Sequence, residues 1–586
     1  MEELAAPNRN RLYILLAWLA TLPLLLVVFY PALQAPFLLD DQVGIVNNSE
    51  FRSFSVHNLV MLFRGHADTR AYDHHAVPGF VSMVDHAWSG VDPFGYHLTN
   101  LFIHWANCGL ILLFFVTVWK TIEKNLTLQG VLMGISLMTI WAVHPFSTMP
   151  VAYVTCRTES LMVFFYVLAL LAFLRGWEWI SIPLGVASIL SKEVAVTLPG
   201  AILMVDWARS GVGIIPTLLQ RMRYYIVLTS VWLLMIAYHL RGSRRTQIGA
   251  AGMPLAHPWE YFKTECGIIG DYFRKLFWPT KLQFYPFYRP VAQWQEWVPQ
   301  LIGIVLYLCL AVYLLRKSRW LGIVLLFPLL VLLPTSTFIP IPYEPAMEYR
   351  MYLPGASFLA LLVIGIWRWV RPTWARIALI AVVAIPLAVV SHLRTRDYET
   401  SLKLHEQQLT VDPQSLTALE AVTGSLFTAG MYDRATVTAW KLVDYALADK
   451  DKEFAGRGFN ALGTIEASRR NYREARDFFQ RAIEFADNNS ARLSLASMQV
   501  ELMELPEAEK LLRGILARTP DHPEATLLLY EAKMSAKDYD EGEKILDHFL
   551  TLYPERSAEL EVQKTRVLHL KRKRAEGAAP LVRSQE

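Results

Sequence analysis

The sequence predicts an all-α protein in two parts: a polytopic bundle of about eleven membrane-spanning helices, then a helical-repeat solenoid. Three observations predict it. Hydrophobic residues make up 54% of the 586 residues and charged residues only 18%, where a soluble chain carries about 25% charged residues. Apolar stretches long enough, or nearly long enough, to cross a bilayer recur as far as residue 392. After about residue 397 charged residues become dense, and a period of about 34 residues sets in.

The remaining bulk properties fit a membrane protein. Mean hydropathy is +0.28. The 18 Trp and 25 Tyr suit aromatic belts at two bilayer interfaces. A formal net charge of +4 is small and scattered, so no nucleic-acid partner is expected. The four cysteines, Cys108, Cys156, Cys266 and Cys309, lie far apart without ligand or disulfide spacing.

Arg9 and Arg11 precede an apolar run from Leu12 to about Leu33. That run is too long for a signal-peptide core and lacks a clean small-x-small cleavage site, so it reads as a retained first span. The segments centre on 12–33, 97–119, 127–143, 151–174, 176–190, 194–208, 223–240, 299–315, 320–339, 353–369 and 375–392. The stretch 261–280 is apolar but carries Glu265, Asp271 and Arg274, and reads as an interfacial helix. With the N-terminus inside, the inside loops collect Lys120, Lys124, Arg175, Arg209, Arg221, Arg223, Arg316, Lys317, Arg319, Arg368, Arg371 and Arg376, as the positive-inside rule requires. The outside receives 34–95, His144–Pro150, Ser191–Glu193, 241–298, 340–352 and everything after residue 393.

The membrane part is expected over residues 1–393 and the repeats over 397–586. Tyr432-Asp433-Arg434-Ala435, Tyr472-Arg473-Glu474-Ala475, Leu505-Pro506-Glu507-Ala508 and Tyr539-Asp540-Glu541-Gly542 place a small residue fourth each time. Paired helices pack closely at such positions, and the spacing is that of tetratricopeptide units. Pro413, Pro520 and Pro554 fall where a unit would stop.

Ionisable residues near membrane helices are functional hypotheses by default. Asp40 and Asp41 follow the first span. Adjacent carboxylates repel, which biases one toward a raised pKa and a general-base role; they also present a potential cation site. Asp73-His74-His75 and Asp85-His86 match no structural zinc spacing, and an interfacial loop is the expectation there. His97, Asn100 and His104 share one helix face and should line the bundle interior. His144, Arg157 with Glu159, Lys192 with Glu193, and Glu348 with Arg350 all fall on the outside in this topology. Cations that hold a phosphate, next to an acid that serves a hydroxyl, suit an anionic lipid headgroup and a nucleophile.

The stretches Phe37-Leu-Leu-Asp-Asp41, Pro93-Phe-Gly-Tyr-His-Leu-Thr-Asn100, Ala142-Val-His-Pro145, Arg157-Thr-Glu159, Ser191-Lys-Glu193, Tyr272-Phe-Arg-Lys-Leu-Phe-Trp-Pro279 and Glu348-Tyr-Arg-Met-Tyr-Leu-Pro354 occur in this order over about residues 30–360. In these the chain resembles the transmembrane and tetratricopeptide repeat-containing O-mannosyltransferase-like family, which belongs with the GT-C glycosyltransferases. The resemblance implies a GT-C-type bundle, a polyprenyl-phosphate-linked sugar donor and an acceptor hydroxyl outside the cytoplasm. It assigns the acceptor-facing acid to Asp40 or Asp41 and the donor phosphate to Arg157, Lys192 and Arg350. Glu159, Glu193, Glu348, His97 and His144 become supporting residues. No metal is required, although a divalent cation at the acidic pair stays open. Val77-Pro78 stands where family members carry Arg-Pro, which leaves the contacts of that loop unassigned. The array of about four or five repeats points to a bacterial homologue, with its site and repeats in the periplasm; in a eukaryote both would face the endoplasmic reticulum lumen.

The expected reaction transfers sugar to a Ser or Thr hydroxyl of an acceptor protein presented by the repeats. Three alternatives stand beside it: the same chemistry on a glycan or lipid, a non-catalytic membrane scaffold, and a transporter or flippase. The last would place ionisable residues at the bilayer midplane rather than at one face.

Overall fold

In the computed structural model of this chain, residues 2–48, 53–64, 75–249, 258–286, 291, 293–336, 346–556, 560, 564–565 and 567–571 are described. Asp73, His74 and the basic run beyond Lys571 lie outside them. Among the described residues the ordered elements are all helical. They form two compact units, Met1–Val411 and Asp412–Glu586.

The first unit opens with α1 (Glu2–Val28), α2 (Val56–Arg64), α3 (Ala76–Ser89), α4 (Pro93–Glu123) and α5 (Leu128–Ala142). It continues through α6 (Thr148–Ala152), α7 (Arg157–Leu174), α8 (Glu178–Ile189), α9 (Leu198–Ser210), α10 (Ile214–Gln220), α11 (Met222–Gly249) and α12 (Pro258–Phe277). It closes with α13 (Trp294–Lys317), α14 (Arg319–Leu332), α15 (Tyr352–Trp369), α16 (Thr373–Arg396) and α17 (Ser401–Val411). Local chemistry sets several ends. Asp92 caps α4 by accepting from the Phe94 amide at 3.0 Å, with Pro93 in the first turn. Thr127 caps α5 through the Gly130 amide at 3.1 Å. Against α1, the Trp18 and Trp105 rings stack at 4.3 Å and each indole donates to the other's carbonyl at 3.0 Å.

Among the described residues, seven helices are long and apolar enough to cross a membrane, or up to nine if each bent pair counts as one span. The bent pairs are Leu128–Ala142 with Pro145–Ala152 (60°) and Glu193–Ser210 with Ile214–Gln220 (100°). This falls short of the expected eleven. Glu178–Ile189 and Arg319–Leu332 are apolar but have 12 and 14 residues, short of the roughly 20 that a bilayer needs. α12 is not among the candidate spans; its buried face includes Tyr261, Glu265, Tyr272 and Lys275.

The first unit also runs past residue 393. Tyr398 is buried, Gln407 donates to the Leu282 carbonyl at 3.1 Å, and Arg394 donates to Gln407 at 2.8 Å. These contacts place α17 in the first unit, whereas the composition shift had placed residues from 397 onward with the repeats.

The second unit consists of helical hairpins: α18 (Leu416–Thr428) with α19 (Tyr432–Ala448), α20 (Lys452–Ser468) with α21 (Tyr472–Phe485), α22 (Asn489–Glu501) with α23 (Leu505–Arg518), and α24 (Pro523–Ser535) with α25 (Tyr539–Leu552). The repeated small residues Ala435, Ala475, Ala508 and Gly542 are buried in the first turns of α19, α21, α23 and α25. Two residues before each of these helices the chain turns left-handed, at Gly430, Arg470, Met503 and Lys537 (φ 60° to 72°). The repeat is therefore one of backbone conformation as well as of sequence.

Candidate functional site

A cavity of about 200 Å³ opens among helix ends of the first unit, and its walls include Asp40, His75, Lys192, Glu193, Tyr349 and Arg350. Four residues singled out by sequence, Asp40, Lys192, Glu193 and Arg350, thus meet in one place although they come from three separate segments of the chain. Asp40 follows Leu39, whose φ of 43° is uncommon for a bulky residue. Its amide donates to the Tyr153 hydroxyl at 3.2 Å, and its side chain is exposed.

Lys192 sits between α8 and the turn Glu193–Thr197. Its ammonium lies 3.0 Å from the buried Glu159 carboxylate and 3.9 Å from the centre of the Tyr349 ring. Glu159 thereby offsets the cost of burying the lysine charge, and the aromatic face adds cation–π attraction. Glu193 is half exposed and pairs with His75 at 3.0 Å. Arg350, in the turn Glu348–Met351 before α15, donates to the Thr335 carbonyl at 3.3 Å.

The other expected site residues take supporting positions. Asp41 is 1% exposed and turned away from the cavity wall. It accepts from the Leu38 amide at 3.0 Å, from the Thr155 amide at 2.8 Å and from the Thr155 hydroxyl. The two adjacent carboxylates therefore do not share one site. Burial, with a smaller push from the Asp40 charge, raises the Asp41 carboxyl to about 6 against the pull of those hydrogen bonds.

This shift has a pH signature. The folded-state value lies above the unfolded value of about 3.9. Asp41 therefore contributes stability that is complete below about pH 4 and lost as pH rises through about 6. Asp41→Asn does not titrate. The stability of wild type relative to this variant is expected to grow toward acid, by up to about 3 kcal/mol. Thermal unfolding in detergent at about pH 4 and pH 8 reads it directly.

Arg157 corrects an expectation. It is 0% exposed and does not line the cavity. Its guanidinium meets Asp85 at 2.6 Å, Asn100 and the Tyr96 carbonyl at 3.0 Å, and Ser82 at 3.2 Å. Every guanidinium nitrogen is engaged, so Arg157 ties α3, α4 and α7 together and has no nitrogen to give a phosphate.

Glu348 accepts from Lys275 and from the Gln283 amide, both at 2.8 Å. Lys275 also meets Asp271 at 3.1 Å. Burial works against the Lys275 charge, yet these two carboxylates outweigh it and hold its pKa above the ordinary lysine range. His144 accepts from the Phe146 amide at 3.2 Å through Nδ1, so its Nε2 donates to the Leu276 carbonyl at 3.0 Å. His97 Nε2 lies 3.0 Å from the Ala35 carbonyl and holds the chain that leads to Asp40. Among the described residues, no group of three or more His, Cys, Asp or Glu converges as a metal site.

Sequence reasoning missed Tyr153 and Tyr349, which frame Asp40 and Lys192. It read Asp85 as part of an interfacial loop. Tyr349 stands inside a motif already singled out; nothing in the sequence distinguishes Tyr153 or pairs Asp85 with Arg157.

Two further cavities accompany this one. An apolar cavity of about 310 Å³ lies within the first unit, with Phe114, Trp119, Leu170, Trp320, Phe327 and Ala360 among its walls. A groove of about 340 Å³ in the second unit is lined by α18, α20 and α22, including Glu420, Gly424, Gly456, Arg457 and Asn460. Arg457 meets Glu420 at 3.1 Å there, and the buried Asn460 Oδ1 has no hydrogen-bond partner.

Comparison with known proteins bears on both units. A tetratricopeptide-repeat family profile matches residues 504–559. Over 200 residues, 30% of this chain, the sequence is 25% identical to human protein O-mannosyl-transferase TMTC1, covering 22% of that protein. The mouse protein of the same name is 26% identical over 200 residues, with 20% of its length covered. The chain thus spans about a fifth of the length of the curated relatives it matches. It is distantly similar to proteins named as O-mannosyltransferases and carries a tetratricopeptide-repeat segment.

Proposed function

We propose that the first unit is a GT-C-type glycosyltransferase. It moves a sugar from a polyprenyl-phosphate donor to a Ser or Thr hydroxyl of an acceptor protein on the extracytoplasmic face. The observation that carries this reading is the meeting of an exposed carboxylate, Asp40, with two cations, Lys192 and Arg350, in one cavity. The Asp40 carboxylate takes the acceptor proton as the hydroxyl oxygen forms a bond to the anomeric carbon. The bond from that carbon to the phosphate oxygen breaks, and the lipid phosphate leaves with the electron pair. Lys192 and Arg350 stabilise the charge that develops on it, the larger catalytic contribution in such transfers. The mechanism calls on no metal.

Two features support the lipid donor and the face. The helices α7 and α14 line the apolar cavity with Val167, Leu170, Trp320 and Phe327, while Thr158 and Thr335 of the site stand at their other ends, and α15, which follows Arg350, runs along the same cavity. Thr158 and Val167 are separated by about 14 Å of helix rise, a spacing that suits a phosphate above a hydrocarbon chain. Apart from Arg157, Lys192 and Arg350 at the site end, the basic residues of the adjoining helices lie at the opposite end: Arg9 and Arg11 of α1, Arg175 after α7, Arg209 of α9, Arg319 of α14 and Arg368 of α15. By the positive-inside rule those ends are cytoplasmic and the site is not. In a bacterial cell the site would face the periplasm. The concave groove around Asn460, with its unpaired acceptor and low glycine floor, suits an extended acceptor segment.

Removing one cation should show the phosphate role. Arg350→Gln is expected to lower kcat about 10²–10³-fold. Lys192→Gln is best made together with Glu159→Gln, because the single change strands a buried carboxylate. Transfer of labelled sugar from polyprenyl phosphate by membranes containing these variants checks both. The repeats favour one other reading, a scaffold that recruits partners without chemistry; it expects every one of these variants to keep full function.

A further inference from the structure

Glu265 lies on α12 and is 1% exposed, and neither carboxylate oxygen has a hydrogen-bond partner. A buried carboxyl left this way is costly when ionised. It does not line the cavity; it stands behind the wall that Arg350 and Thr335 form. One helical turn earlier, the Tyr261 hydroxyl donates to the Thr335 carbonyl at 3.0 Å, the same carbonyl that Arg350 donates to at 3.3 Å. Ser336, next in the chain, has a buried hydroxyl without a partner. The groups that face Glu265 among the described residues are Tyr261, Cys266 and Tyr272 of its own helix, Arg350, and the end of α14 at Ser336. From α13, Glu296 passes beside Gly267 with its side chain exposed.

We infer that the charge state of Glu265 sets how much of the Arg350 guanidinium's positive charge is left for a phosphate in the cavity. This rests on the reading of Arg350 as a phosphate-binding group. Protonated, Glu265 leaves the Arg350 charge to the ligand. Ionised, it competes with the ligand for that charge, and a bound phosphate drives a proton back onto it. Burial pushes its pKa up to about 7, against the pull of the Arg350 charge, so the exchange falls in the working pH range.

The test uses the full chain in detergent with polyprenyl monophosphate as the probe. Wild-type binding is expected to weaken about tenfold between about pH 6 and pH 8.5, relative to Glu265→Gln measured alongside. The variant keeps the shape and burial but cannot ionise, and the ionisation of the probe is common to both proteins. Identical pH profiles for wild type and Glu265→Gln overturn the proposal, since a packing role would move the baseline and not the slope. A second readout needs no ligand. The infrared titration of the Glu265 carboxyl should shift upward by a pH unit or more in Arg350→Gln, and an unchanged midpoint also overturns the proposal. If that shift appears but polyprenyl monophosphate binds at no pH, the Glu265–Arg350 coupling is upheld and the donor reading falls.

Discussion

Asp40→Asn is expected to lower sugar transfer by a factor of about 10²–10⁴, the usual contribution of a positioned general base, while the protein inserts and folds as wild type. The Asp40 side chain is exposed and asparagine is close to it in size and shape, so the change should disturb the fold little. Its amide hydrogen bond to Tyr153 comes from the backbone and survives the change. The neighbouring position should behave in the opposite way. Asp41→Ala removes the acceptor of the Leu38 and Thr155 amides and of the Thr155 hydroxyl. Each orphaned buried donor costs about 1–3 kcal/mol, so this variant should lose folded protein before it loses chemistry. Transfer normalised to folded protein, measured on both variants, separates the two roles.

Arg157→Met is expected to destabilise the first unit by about 3–5 kcal/mol, because it leaves the 1%-exposed Asp85 carboxylate buried without its cation. Total stabilities of about 5–15 kcal/mol make that a large fraction. The double variant Arg157→Met/Asp85→Leu removes both charges and should recover much of the loss. Yield and thermal unfolding of the three proteins in detergent check the cycle. A phosphate-binding Arg157 would give a different pattern: a stable single variant with weakened donor binding, and no recovery on changing Asp85.

These two residues mark where the sequence was legible. Within the described residues the apolar segments are mostly helical, because hydrophobic length and Pro or Gly punctuation are local properties. The number of spans was not legible in the same way, since the apolar helices Glu178–Ile189 and Arg319–Leu332 have only 12 and 14 residues. In the site, Asp40, Lys192, Glu193 and Arg350 could be found because ionisable residues at helix ends on one side of a topology are few. Whether such a residue faces a cavity depends on partners far away in the chain. Asp85 is 72 residues from Arg157 and Thr155 is 114 from Asp41, and no local pattern links them. Glu265 shows the converse: it was read as one polar residue on an interfacial helix, and its place near Arg350 emerges only from the fold, in which Tyr261, one turn before it, shares the Thr335 carbonyl with Arg350.

The central claim is that Asp40, Lys192 and Arg350 form a sugar-transfer site. Its most direct test supplies radiolabelled polyprenyl-phosphate sugars to membranes containing wild type or Asp40→Asn and follows the label into protein and lipid fractions. The account predicts label in protein with wild type and its loss with Asp40→Asn at equal expression. Absence of transfer from every donor, or equal transfer by the two proteins, would contradict it and leave a membrane-anchored repeat scaffold as the better description.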